Sequence, residues 1–95
     1  MEYILFIHNN VDAPTTEDQW NDFFEAANKS GMFDGGSEIT ESHQLGSKVV
    51  TPSTKNIVGI MRFETSDVSK LNTLLSMHPV YLQGGTLELC KMPKT

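Results

Sequence analysis

Cysteine is almost missing from this chain of 95 residues. Cys90 stands alone, which excludes an internal disulfide and any zinc site built of cysteines. That suits a reducing compartment, and a cytoplasmic location is expected. Basic residues are also scarce. Seven Lys and Arg stand against twelve Asp and Glu, for a net charge of −5, the wrong sign for gripping a phosphate backbone. Nucleic acid is therefore not an expected partner. Long apolar runs are lacking too. The longest, Tyr3 to Ile7, is far short of a membrane span, so no membrane association is expected. Glu2 sits where a secretory leader needs a basic residue, and no apolar leader core follows. No period repeats, no segment is of low complexity, and no charge run exceeds two residues.

The chemistry-bearing motifs are equally thin. The three histidines are not closely spaced, and neither H-x-x-H nor C-x-x-C occurs, so no metal site is expected. Gly35-Gly36 and Gly84-Gly85 read as turns, since neither opens a helix in a G-x-G-x-x-G or Walker pattern. No serine sits in a nucleophile elbow. No cofactor is expected.

What is present is hydrophobic periodicity. The length, with 38% hydrophobic residues, fits one domain over residues 1–95. Glu2 to His8 is β-branched and aromatic and reads as a strand. Thr15 or Thr16 then caps a helix, with Gln19 completing a capping box from Thr16 and Glu17 and Asp18 at the positive helix end. Trp20, Phe23, Phe24 and Ala27 form one stripe predicted to be buried, and Gly31 supplies the left-handed stop. Ser37 to Leu45 alternates like an edge strand, and Gly46 to Asn56 reads as a loop. Ile57 to Phe63 is a second strongly apolar strand. Ser66 caps a second helix with a stripe of Val68, Leu71, Leu74 and Leu75, which Pro79 ends. Thr86 to Lys91 closes the pattern as a last strand.

Strand, helix, strand, strand, helix, strand is the ferredoxin-like arrangement, βαββαβ, an α+β fold with a four-stranded antiparallel sheet and two helices on one face. Right-handed crossovers place the first and third strands in the centre. Both of these are apolar on both parities. Two helices cover one face only, so Ile4, Phe6, Val58 and Ile60 need a second cover. A second copy of the sheet, giving a homodimer, is the expected cover; the alternative is the loop Gly46–Asn56 folded over that face.

The same parity argument nominates a site. If Leu87 and Leu89 face the helices, Glu88 faces away, and His8 and Arg62 share that side with Ile4 and Ile60. A base, a cation and a carboxylate between apolar walls have the form of a small-molecule site, with His8 as a catalytic candidate and Arg62 and Glu88 as ligand-binding candidates. Plainer roles stand beside these. His8 is also suited to bonding a loop carbonyl, and Arg62 with Glu88 to a cross-sheet ion pair. His78, a further ligand-binding candidate, lies where a protonated imidazole would favour the negative end of the second helix. His43 reads as a surface residue and Cys90 as a small apolar filler.

Several short segments resemble the YCII-related (DGPF-type) family. They are the opening Met1 to His8, Trp20 with Phe23 and Phe24, Ser30-Gly31, Gly35-Gly36-Ser37-Glu38-Ile39, His78-Pro79, and Gly84 to Leu89. The resemblance implies a ferredoxin-like dimeric α+β barrel. It also implies an acid–base dyad of a helix histidine and an aspartate from an Asp-Pro pair. The matching positions here hold Trp20 and His78-Pro79, and Thr51-Pro52-Ser53 stands where the DGPF tetrapeptide belongs, so the dyad is missing as such. Two functional classes follow. One is a domain that binds a small metabolite without turnover. The other is a cofactor-independent acid–base enzyme with His8 as base and Arg62 anchoring an oxyanion.

Overall fold

The computed structural model describes residues 1–94. Its first strand, β1 (Glu2–His8), buries Tyr3, Leu5 and Ile7 on one side and half-covers Ile4 and Phe6 on the other. Helix α1 (Glu17–Ser30) starts at Thr16, whose hydroxyl takes the Gln19 amide while the Gln19 side chain takes the Thr16 amide, a complete capping box. It stops at Gly31, which turns left-handed at φ 73°. Strand β2 (Phe33–Glu38) follows at once. Strand β3 (Ile57–Glu64), entered through a short 3₁₀ turn at Thr54–Asn56, leads to α2 (Val68–Leu75), capped by the Asp67 carboxylate. A four-residue helix, α3 (Pro79–Leu82), and β4 (Leu87–Met92) complete the order.

The strands form one antiparallel sheet in the order β2-β3-β1-β4, with the two most apolar strands in the middle. Burial fixes which face meets the helices. On β3 it is Gly59, Met61 and Phe63, aligned with Ile7, Leu5 and Tyr3 of β1. Apart from Gly59 these pack with Phe23 and Ala27 of α1 and with Leu71, Leu74 and Leu75 of α2 into one core. Among the described residues, no helix is long and apolar enough to cross a membrane.

Several expectations are corrected. The dimeric α+β barrel is not what forms. The structure is a single open sheet in which β2 and β4 are edges, and the chain's strands are not closed into a barrel. The second copy was expected because the far face looked too apolar to stand alone. In the folded chain Ile4, Phe6 and Ile60 are each only partly exposed, and the charged residues Glu2, Arg62, Glu64 and Glu88 are interleaved with them on that face. The loop does not supply a cover. Leu45 and Val49 are 86% and 80% exposed, while the Gln44 side chain clasps the Val50 backbone at both its amide and its carbonyl.

The second strand lies earlier than its alternation suggested, at Phe33–Glu38 and not Ser37 to Leu45. Gly35, at φ 97°, lets β2 slip register between Phe33 and Gly36, so a segment that reads as a turn is paired backbone. Pro79 does not terminate α2, which ends at Leu75; it opens α3, where a first-turn proline loses no helical hydrogen bond. Cys90 is exposed on the edge strand and fills no gap.

Candidate functional site

The buried stripe expected on α1 is split in two. Phe23 and Ala27 are wholly buried, whereas Trp20 is half-buried and Phe24 is 37% exposed. The reason lies beneath them. Where the neighbouring helix-facing positions carry Tyr3, Leu5, Ile7, Met61 or Phe63, Gly59 of β3 carries nothing, and Gly36 of β2 lies alongside Met61. A Cβ on Gly36 would collide with the Ile60 carbonyl oxygen, so β2 approaches β3 closely only as glycine. A cavity of about 530 Å³ remains between the Trp20–Phe24 stretch of α1 and this glycine floor.

Its walls are aromatic and aliphatic. Trp20 stacks on Phe24 with ring centroids 5.8 Å apart, and Phe24 stands 6.0 Å from Phe33, which completes the side formed by β2. Val11, Val58 and Val80 contribute further apolar lining. Polar groups gather at the end where β1 stops: His8 and Asn9, with Thr15 before α1 and Ser37 and Glu38 at the end of β2. The Trp20 indole N–H donates to the Thr15 hydroxyl at 2.9 Å, which fixes the indole plane against the cavity. An apolar chamber with a few polar groups at its mouth is the usual form of a small-molecule site.

The four residues singled out from sequence are not gathered there. His8 lies at the cavity rim, and its Nε2 is hydrogen-bonded to the Glu88 carboxylate. That end of β1 is held to β4 by the His8 amide on the Thr86 carbonyl at 3.1 Å. The Asn10 side chain adds two bonds to Thr86, one with its amide and one with its hydroxyl, each 2.9 Å. Glu88 therefore backs His8 but does not line the cavity. Arg62 shares their face of the sheet and sits opposite Ile4, four residues or about 13 Å along β1 from His8. Its guanidinium lies 3.7 Å from Glu2, so its charge is directed to the other end of the sheet.

His78 belongs to the helix layer. It is completely buried and caps α3, its Nδ1 accepting the Val80 amide at 3.1 Å. That bond puts the ring proton on Nε2, which has no hydrogen-bond partner among the described residues. The imidazole packs edge-on with Trp20 at 5.0 Å and Phe23 at 4.7 Å, and aromatic π faces are weak acceptors for such a donor. Burial lowers its pKa to about 4, so the ring is neutral at pH 7 and not the cation expected at a helix end. His43 is exposed. Among the described residues no group of three or more His, Cys, Asp or Glu is placed to hold a metal ion.

Trp20, Phe24, Phe33 and Thr15 were not read as lining residues from the sequence. The signal was present in part: a stripe of large aromatics on α1 faces a strand whose matching inward position is glycine, and such a pairing leaves space.

No protein-family model matches the chain, and no curated protein matches it. The YCII-related resemblance is therefore corrected: its short matching segments are not backed by a match over the chain, and the barrel it implied is absent. Among solved structures the chain is similar to 5-chloro-2-hydroxyhydroquinone dehydrochlorinase from Burkholderia phenoliruptrix AC1100, in complex with 2,5-dihydroxybenzoquinone. The TM-score is 0.57 and the identity 11%, over 100% of this chain and 96% of that one. At that identity the likeness is one of fold alone.

Proposed function

We propose that this chain is a small-molecule-binding domain whose site is the cavity between α1 and the β2–β3 floor. The observation that carries the proposal is the 530 Å³ chamber itself, walled by Trp20, Phe24 and Phe33 over a floor opened by Gly59. Flat apolar walls favour a planar ring over a branched or charged guest, because stacking and dispersion act over its whole face. The test is calorimetric titration of a ring compound such as 2-naphthol into wild type and into Gly59→Leu. An added Cβ at Gly59 meets its nearest neighbours, Ile7 Cδ1 and the Ser37 carbonyl oxygen, at 3.4 Å, ordinary contact, so the longer side chain extends into free space. Saturable binding that weakens about tenfold or more in a still-folded Gly59→Leu protein is expected. Equal affinity in the two proteins would remove the cavity as the site.

One observation favours a second reading, cofactor-independent acid–base catalysis with His8 as base. Its Nε2 bond to Glu88 fixes the ring tautomer and leaves Nδ1 to accept a proton. Accelerated deuterium incorporation into a bound hydroxyarene, lost in His8→Ala, is its expected signature; exchange at the buffer rate would leave the binding reading alone.

A further inference from the structure

The hydrogen-bonding groups around the cavity are mostly spent on one another. The Trp20 indole N–H is used by Thr15, the Ser37 hydroxyl donates to the Glu38 carbonyl at 3.0 Å, and His8 Nε2 is engaged by Glu88. Asn9 is exposed at the outer lip. Thr15 differs from these. Its Oγ1 accepts from Trp20, yet a hydroxyl has a proton of its own, and among the described residues that proton goes to no acceptor. Thr15 is half-buried and lines the cavity, so its free proton is available where a guest would sit.

Charge adds a second constraint. Neither Lys nor Arg is among the described residues lining the cavity, whereas the Glu38 carboxylate is, and the Glu88 carboxylate stands behind His8. Arg62, on the same face of the sheet as Glu88, is turned toward Glu2. An anionic guest would lose its hydration and meet the Glu38 carboxylate with no cation in the lining to offset either cost.

We infer that the cavity takes an uncharged, ring-sized molecule through an acceptor oxygen held by the Thr15 hydroxyl, and turns away the carboxylate counterpart of the same ring. The inference rests on the cavity being the binding site proposed above.

Three probes of matched shape separate the contributions by calorimetry at pH 7: naphthalene, 2-naphthol and 2-naphthoate. Wild type is expected to bind 2-naphthol about five- to tenfold more tightly than naphthalene, the worth of one ordinary hydrogen bond. Binding of 2-naphthoate is expected to be about tenfold or more weaker than that of 2-naphthol. Thr15 is tested in a Trp20→Phe background, so that an indole N–H freed by the second change cannot replace the hydroxyl. Trp20→Phe should weaken all three compounds but keep the preference for 2-naphthol. Adding Thr15→Val should abolish that preference, and adding Thr15→Ser should retain it. A preference that survives Thr15→Val, or equal affinity for 2-naphthol and 2-naphthoate, overturns the inference. Equal binding of all three compounds leaves the cavity standing and overturns the inference alone, while binding of none removes both.

Discussion

Phe23 and Phe24 are neighbours on one helix and belong to two differently packed regions. Phe23 is wholly buried, within the same core as Leu71, with its ring in an edge contact with His78. Phe24 leans over the glycine floor beside Trp20 and keeps more than a third of its surface in solvent. The same helix and the same sheet supply both regions. What separates them is whether the sheet sends up a side chain: Met61 and Phe63 do, Gly59 does not. In this protein a binding chamber is made by omission from a core, not by adding a site to its surface.

The largest expected effect tests that contrast directly. Phe23→Ala should cost about 3–5 kcal/mol, as a full core truncation does, and Phe24→Ala about 1 kcal/mol. Urea denaturation of both variants checks this, and similar losses would mean that the region around Phe24 is as tightly packed as the one around Phe23. The next effect concerns His78, at the seam between the two regions. With a folded pKa near 4 and an ordinary value of 6.5 when unfolded, the unfolded chain takes up the proton first as pH falls. Stability from this group is therefore complete above pH 6.5, declines between 6.5 and about 4, and is lost below. The full loss amounts to roughly 3 kcal/mol at most. Unfolding midpoints in urea at pH 7 and pH 4.5 should differ in wild type and converge in His78→Asn, which keeps a capping side chain without the titration; an unchanged slope in that variant would assign the acid sensitivity elsewhere. The smallest effect lies at the start of α1. Thr16→Ala should cost about 1 kcal/mol through loss of the capping box, read in the same melts, without altering ligand selectivity, because the neighbouring Thr15 and not Thr16 lines the cavity.

The sequence makes some of this architecture plain and conceals the rest for identifiable reasons. β1 and β3 announce themselves by being apolar on both parities, which is the mark of central strands, and α1 by a capping box at one end and glycine at the other. β2 is hidden because Asp34-Gly35-Gly36 has the composition of a turn, and only tertiary pairing with β3 makes it a strand. α3 is hidden because proline both stops and starts helices, and the choice at Pro79 depends on His78 being buried as its cap. The candidate site is harder still. Parity places His8, Arg62 and Glu88 on one face, but parity carries no information on position along the strand, and the register sets Arg62 against Ile4 and His8 near Glu88. The cavity is defined by the lack of a side chain at Gly59, and a pattern of hydrophobic residues does not record a gap.

The central place of β1 also has a consequence for how the chain reaches this state. Its hydrogen-bonding neighbours are β3, pairing Tyr3 with Phe63, and β4, pairing Glu2 with Met92. During synthesis the first strand therefore emerges with apolar side chains on both faces and both edges unpaired, and stays so until most of the chain has followed it. Loop closure over such separations slows folding, and a segment like Tyr-Ile-Leu-Phe-Ile is the kind that pairs with a stranger while it waits. The well-capped α1, local in sequence and ready early, is the element positioned to cover one side of that strand during the delay.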